Sequence, residues 1–445
     1  MSLAISPPMD CTEPKTESSV TVARSSIQPQ NRTEITLSGG NTSDLYFSLH
    51  PKPNSFINGA NTYLSFTYTV NHTPSSATAP AGAAPVISIA NGSGSSFIRT
   101  LEVQAGSTSL ELVTGYNVVA AMMDDFNSAD RHRTMGSILT DRCQTHVKHG
   151  RARGRAEWGQ ERRICVPLLS GIVGTLADKY LPVDRDLGLS VRLTLEDPNI
   201  CLVTNTADGT IGYSLKDLTL ETEYVTIDPA IYAGLVSESK NIFKVTGTGI
   251  SAFSNSVSSG STSQSLLIPA RYNSVRSFFT TVRKQQMLGS NARLWNSVGA
   301  RSRDNINSYV YRVGGMNTPM LPVSVDAFTG AEVFSEISKA WSAHASVDFN
   351  CCFSADQFVD NAEGDIATAP ADVLKQRQSS FLMAVSFDES GFSASQTSGI
   401  NTIGGNVFLD LTYEKPCQAT IIDTFCLYDS CIEINHAKGT VKVVR

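Results

Sequence analysis

Short runs that alternate apolar with polar residues dominate the chain and predict an antiparallel β architecture. Residues 44–49 and 62–70 carry aromatic and branched side chains alternately or in clusters, as half-buried strands do. Turn-rich stretches of Ala, Pro, Gly and Ser separate the strands, and residues 71–96 predict a long loop that projects from one end of a domain. Residues 1–33 are rich in Ser, Thr, Pro and Gln without periodicity, which predicts a flexible arm.

Two segments have helical rather than strand periodicity. Residues 111–127 and 329–344 place apolar side chains three and four positions apart. In the second segment, one face carries Val333, Phe334, Ile337, Ala340 and Trp341. We interpret both as short helices inserted between strands, with their apolar faces against the core.

The strand pattern occurs twice. Residues 191–196 resemble residues 409–414 at an offset of 218 (409 − 191), and residues 217–227 resemble residues 423–434 at an offset of 206 (423 − 217). The two helical segments are also 218 positions apart (329 − 111). A period this long is far beyond that of solenoid repeats, so it predicts the tandem duplication of a whole domain.

An all-β domain of this length, with long end loops and a helix between strands, favours the jelly roll over the smaller immunoglobulin sandwich. The predicted fold class is all-β, with two tandem jelly-roll sandwiches (a double jelly roll) and short helices between strands. We place the domain boundary at residues 228–240, where a strand ends and a polar stretch follows. The predicted units are the arm 1–33, a first jelly roll 34–230 and a second jelly roll 240–445.

Composition and charge narrow the function classes. Charged residues make up 17% of the chain, below the usual ~25%, which favours a surface that is covered by neighbouring subunits or built from neutral loops. A net charge of −6 argues against nucleic-acid binding by the chain as a whole. No apolar run has the ~20 residues of a membrane span, and the first residues lack the pattern of a secretory signal. The nine scattered cysteines favour a reducing site of synthesis over a disulfide framework.

One stretch departs from this charge balance. Residues 131–163 hold nine basic residues against three acidic ones. Such a patch can neutralise the phosphates of DNA without reading its sequence, contact acidic surfaces of other subunits, or lie in a solvated loop. The candidate residues of this DNA- or subunit-contact patch are Arg131, Arg133, Arg142, Lys148, Arg151, Arg153, Arg155, Arg162 and Arg163.

Motifs for catalysis are absent from the sequence. The Gly-rich segments lack the spacing of a phosphate loop, and neither a zinc-protease helix nor a nucleophile elbow occurs. Cys143, His146 and His149 have metal-compatible side chains but no partner cluster, so we interpret them as loop residues. Cys351 and Cys352 are interpreted as buried strand thiols. We therefore expect no enzyme activity, no cofactor, no metal and no small-molecule substrate.

The order and character of segments over about nine-tenths of the chain resemble the double jelly-roll major capsid proteins of Polinton-like viruses and adintoviruses. The segments that carry this resemblance are residues 54–57, 62–66, 96–103 and 109–117 in the first half, and residues 268–279, 311–315, 319–322 and 425–444 in the second half.

The resemblance implies a structural role. Proteins of this kind form pseudohexameric homotrimers that tile an icosahedral shell around a DNA genome. It further implies penton and minor capsid proteins as partners, and non-specific contact with genomic DNA or an inner membrane. The expected localisation is the virion, after synthesis in the host cytoplasm and assembly in the cytoplasm or nucleus.

Two alternatives stay open from the residues alone. The first is a single jelly-roll capsid protein of a small RNA or circular DNA virus, with a protruding second domain. Such proteins usually carry a strongly basic arm, whereas the charges of residues 1–33 cancel. The second is a secreted tandem β-sandwich lectin or adhesin, which the expected absence of a signal segment and the odd number of cysteines disfavour.

Overall fold

The computed structural model describes residues 20–75, 87–90, 93–126, 136–140, 155–156, 159–177, 179–185, 187–204, 208–285, 292–299, 301–325, 330–342, 351, 358, 380–387 and 399–444.

Among the described residues, the first half of the chain consists of strands with three short α-helices between them. Its strands are β1 Val20–Ile27, β2 Ile35–Ser38, β3 Ser43–Ser48, β4 Ser55–Thr73, β5 Ile87–Ile89, β6 Ile98–Ala105, β7 Thr108–Thr114, β8 Arg155–Ala156, β9 Arg162–Pro167, β10 Leu181–Pro182, β11 Leu189–Leu195, β12 Leu202–Thr204 and β13 Thr210–Ile227. Its helices are α1 Tyr116–Asp125, α2 Ser137–Leu139 and α3 Pro198–Cys201.

A helix, α4 Pro229–Glu238, leads into the second half. The strands there are β14 Ile242–Val257, β15 Ser263–Ile268, β16 Val275–Lys284, β17 Ile306–Val313, β18 Met316–Ser324, β19 Met383–Ser386, β20 Val407–Tyr413, β21 Thr420–Asn435 and β22 Thr440–Val444. One further helix, α5 Ala331–Ser342, lies between β18 and β19.

The strands of each half form two principal antiparallel sheets in the same order. In the first half the orders are β1-β13-β4-β10, with β2 on β13 and β9 on β4, and β3-β11-β6-β7. In the second half they are β14-β21-β16-β19, with β22 on β21, and β15-β20-β17-β18. A further small sheet, β12-β5-β8, is confined to the first half. Each half therefore has the strand order of a jelly roll.

This shared order confirms the predicted all-β fold class of two tandem jelly rolls with short inserted helices. It also contradicts the alternative of one jelly roll followed by an unlike protruding domain. The alternation of apolar and polar residues in the sequence corresponds to burial in the structure. Both β11 and β20 bury every second residue along their length. One apolar core contains residues of both halves, so the two sandwiches are packed against each other as well as being internally packed.

Three predictions about elements are wrong in part. Residues 20–27, placed in a flexible arm, form β1 and pair with β13 along its last eight residues. The first predicted helix begins at Tyr116 rather than residue 111, because residues 111–114 pair with β6 and Gly115 turns the backbone with φ of 60°. Within the predicted loop 71–96, residues 71–73 continue β4 and residues 87–89 form β5. Of the remainder of the arm, residues 28–33 form no helix or strand, and residues 1–19 lie outside the described residues.

The predicted boundary at residues 228–240 contains a helix, α4, which the sequence analysis did not predict. Asp228 caps the helix by accepting a hydrogen bond from the Ala230 N–H, and Pro229 occupies the first turn, where its missing N–H costs nothing. These two residues are a helix-start signal that the polar Ser-Glu-Ser-Lys sequence of residues 237–240 obscured.

Candidate assembly surfaces

The described structure covers few of the basic candidates. Arg162 and Arg163 lie on β9, and Arg155 lies on β8, where only the backbone is described. The other six, Arg131, Arg133, Arg142, Lys148, Arg151 and Arg153, lie outside the described residues. The structure therefore brings only Arg162 and Arg163 together, and the patch as a whole stays a prediction.

The surroundings of Arg163 are of mixed charge. Arg163 is exposed and donates a hydrogen bond from Nη2 to Ser65 Oγ of β4 at 3.4 Å. On the same sheet, Arg24 Nε of β1 donates to Glu221 Oε2 of β13 at 2.9 Å. Burial tends to raise the pKa of Glu221, but hydrogen bonds from Ser26 and Arg24 outweigh it and the net shift is downward. This part of the sheet therefore carries a carboxylate held in its charged form beside the arginines.

The best-defined surface is the contact between the two sandwiches. The edge strand β7 of the first sandwich packs against β14, an edge strand of the second. A loop after β9 reinforces this contact with very close backbone approach: a Cβ atom at Gly171 would lie 2.4 Å from the Thr248 carbonyl oxygen, and one at Gly247 would lie 2.6 Å from the Gly171 carbonyl oxygen. Only glycine fits at both positions without displacing the backbone that faces it.

A buried carboxylate holds that loop in place. Glu111 of β7 is 2% exposed; it accepts a hydrogen bond from the Gly171 N–H at 3.0 Å and another from the Ser170 hydroxyl. Ser170 Oγ in turn accepts from the N–H groups of Ile172 and Val173, both at 3.1 Å. Because these backbone donors are satisfied by side chains, the loop can be buried at the contact without an energetic penalty.

Further contacts join the sandwiches away from the glycines. Arg301 is fully buried and donates to Asp125 at the end of α1 at 2.5 Å, as a salt bridge. Phe126 and Trp341, which follow or end the corresponding helices of the two halves, have ring centroids 5.1 Å apart. These contacts fix the relative position of the two sandwiches.

The linking helix α4 belongs to the same junction. Tyr232 is its one buried residue and packs on Phe56 of β4 and Phe243 of β14, with ring centroids 5.5 and 6.3 Å away. Nearby, Nε2 of His436, after β21, is hydrogen-bonded to Asp184 Oδ2 of the first sandwich, beside a cleft of about 620 Å³.

The free surface has an unusual concentration of exposed apolar side chains on β18. Met316, Met320 and Leu321 are 70%, 85% and 77% exposed and exceed every other large hydrophobic residue of the described chain. Residues 319–322 lie in a register shift, because Tyr311 pairs with Thr318 while Tyr309 pairs with Val323. They therefore bulge from the outermost strand of their sheet.

Sequence reasoning did not single out this apolar edge. The available signal was Pro319-Met320-Leu321-Pro322, two prolines around two large apolar residues in a segment flanked by strand-like sequence. Proline confines such a strand to the edge of a sheet, and residues at an edge bulge point outward.

The described residues contain no cluster of His, Cys, Asp and Glu suited to hold a metal ion. Cys143, His146, His149 and Cys352 lie outside the described residues, and Cys351 is half-buried. In the part of the chain with described structure, no helix has the length and hydropathy required to span a membrane.

The chain is similar to known proteins in its fold but not in its sequence. No family model matches the sequence, and no curated protein is similar to it. Solved structures are similar over almost the entire chain. The PBCV-1 protein VP54, as fitted into a reconstruction of the virophage Sputnik, is 10% identical, with a TM-score of 0.61 over 98% of each chain. The chain has the double jelly-roll fold.

Two further double jelly rolls extend this similarity. The Faustovirus major capsid protein is 9% identical, with a TM-score of 0.58 over 96% of this chain and 92% of that one. The mavirus major capsid protein is 11% identical, with a TM-score of 0.52 over 100% of this chain and 93% of that one. At these identities the similarity lies in the fold, and it includes both sandwiches and their connection.

Proposed function

We propose that this chain is the major capsid protein of an icosahedral DNA virus. The observation that carries the proposal is the similarity of both sandwiches together, over at least 92% of each partner chain, to viral capsid proteins such as those of Faustovirus and mavirus. A lectin or adhesin built of tandem sandwiches would need no such correspondence of the complete double fold.

The proposed assembly unit is a homotrimer. Each chain contributes two sandwiches with the same strand order, held rigidly by the Arg301–Asp125 pair and the glycine contact. Three chains then present six nearly equivalent lateral faces, so one protein tiles a shell while obeying closed three-fold symmetry. Its role is structural rather than catalytic.

The proposed partners follow from that role. They are further copies of the trimer, a penton protein, minor capsid proteins, and the genomic DNA or an inner membrane without sequence or headgroup specificity. The proposed location is the virion, after synthesis in the host cytoplasm. The basic stretch 131–163 is the proposed region for contact with DNA or with another subunit.

The test is the assembly state of the expressed full-length chain. We expect size-exclusion chromatography with light scattering to give trimers, and negative-stain microscopy to give hexagonal particles or closed shells. Shells recovered from cells are expected to protect DNA from nuclease. Protein that stays monomeric at high concentration, or that binds glycans without assembling, would contradict the proposal.

A further inference from the structure

The contact within one chain reveals which edges of a sandwich this protein uses for lateral packing. Among the described strands, β7 pairs with β6 and β14 pairs with β21, so no hydrogen-bonded ladder joins β7 to β14. The two edge strands meet through packing, with the Gly171 loop inserted between the sandwiches. The first sandwich therefore offers its β7 edge, and the second offers its β14 edge.

Each sandwich also has a strand equivalent to the edge strand that the other sandwich contributes to this contact. In the sheet orders, β18 occupies in the second sandwich the place of β7 in the first, and β1 occupies in the first sandwich the place of β14 in the second. Burial differs between the members of each pair. β7 buries three of its seven residues, whereas β18 buries only Val323 of its nine. β1 buries only Ile27 of its eight residues.

Both of these edges expose apolar side chains. Met316, Met320 and Leu321 project from β18, and Val20 and Val22 are 42% and 56% exposed on β1. Exposed apolar area is unfavourable relative to burial, and contiguous patches of it on soluble proteins usually mark contact sites. Two such patches, one on each sandwich, are therefore suited to cover each other.

We propose that β18 of one copy packs against β1 of a second copy, repeating between chains the contact of β7 with β14 within the chain. This inference rests on the proposed capsid function, which requires a closed trimer. Because the two surfaces differ, the contact is heterologous. Three such contacts close into a ring of six sandwiches in which internal and intermolecular junctions alternate.

The first test replaces the apolar bulge. We expect the double variant Met320→Asp with Leu321→Asp to elute as a monomer at concentrations where the unsubstituted chain is a trimer. Its melting temperature is expected to equal that of the unsubstituted chain diluted to a monomer, because both side chains are exposed within one chain. The matched control is Leu267→Asp on β15, which is 47% exposed at the opposite edge of the same sheet and should leave the trimer intact.

The second test identifies the partner surface. The double variant Val22→Cys with Leu321→Cys is expected to form, under mild oxidation, covalent species of up to three chains on a non-reducing gel. Neither single variant should cross-link beyond the unsubstituted chain, whose nine native cysteines set the background. A covalent dimer from Leu321→Cys alone would mean that β18 meets β18, which overturns the proposed head-to-tail contact.

The outcomes separate this inference from the proposed function. An unsubstituted chain that never trimerises contradicts both. A trimeric unsubstituted chain whose aspartate double variant is still trimeric, and whose cysteine pair does not cross-link, contradicts the interface alone.

Discussion

Asp304 shows how one buried carboxylate couples the stability of the second sandwich to pH. It lies in the turn before β17 with φ of 48°, is 3% exposed, and accepts a hydrogen bond from the Gln418 N–H at 3.3 Å. Burial raises its pKa from 3.8 to about 6, although the Gln418 N–H and the charge of Lys284 act in the opposite direction. Between these values the folded chain keeps a proton that the unfolded chain has released.

Stability therefore falls as the pH rises from about 4 to about 6 through this group. We expect Asp304→Asn to increase the free energy of unfolding at pH 8 by roughly 1–2 kcal/mol, allowing for solvent screening of the charge, and to leave it unchanged at pH 4. Asparagine also tolerates the left-handed backbone. Urea unfolding at both pH values measures the effect.

The control for this substitution is Asp217→Asn. Asp217 also has a left-handed backbone, with φ of 52°, but its side chain is exposed. Because its side chain is exposed, we expect this substitution to change the free energy of unfolding by less than about 0.5 kcal/mol. A gain for Asp304→Asn of the same size at pH 4 would refute the electrostatic explanation.

Among the elements, the contact of the Gly171 loop with β14 is the most sensitive to side-chain volume. Gly171→Ala would place Cβ 2.4 Å from a backbone oxygen of Thr248, which no side-chain rotation can relieve. We expect a loss of about 1–3 kcal/mol in unfolding free energy, as for overpacking in a core. Differential scanning fluorimetry would register it as a lower melting temperature.

Gly234→Ala is the comparison for that substitution. Gly234 lies in α4, and a Cβ atom there meets nothing within 4 Å. Alanine is favoured over glycine within a helix by up to about 1 kcal/mol, so this variant should be neutral or more stable. Equal melting temperatures for the two alanine variants would be inconsistent with the close approach described for Gly171.

The elements that sequence predicted well are those whose two faces differ. β11 and β20 bury alternate residues, so their period-two pattern, and with it the internal duplication, was visible. β1 was missed because an edge strand with one buried residue has almost no apolar alternation. The start of α1 was placed too early because apolar residues of β7, such as Leu112 and Val113, also fit a helical spacing.

The candidate assembly surfaces were harder to predict than the fold. The contact between sandwiches depends on residues far apart in sequence, such as Asp125 with Arg301, and one sequence carries no signal that pairs them. The basic stretch was visible from composition alone, but composition does not fix where its side chains lie. The β18 edge required the register shift around residues 319–322, which is a property of the folded sheet.

At the scale of the whole molecule, the two sandwiches share one core. Buried residues of both halves form one contiguous apolar cluster, and the aromatic contacts Phe126–Trp341 and Phe56–Phe243 connect them. We therefore expect the monomer to unfold in a single calorimetric transition, whose calorimetric and van't Hoff enthalpies agree. Two resolved transitions would mean that the halves unfold independently.

A variant at the junction sharpens this expectation. Arg301→Ala removes the cation from a buried carboxylate, and such changes typically cost about 3–5 kcal/mol. The single transition should move to a lower temperature as a whole. If only part of the heat absorption moved, the coupling between the sandwiches would be weaker than their shared core indicates.

The prolines of β18 limit how other strands can pair with this edge. An outermost strand with free N–H groups invites other strands to add to it, which is a common route to fibrils and amorphous precipitate. Pro319 and Pro322 have no N–H to offer, and the bulge between them interrupts the pleat. In the proposed capsid role, subunits made before assembly would therefore not add to one another strand by strand, although the apolar side chains of this edge are exposed.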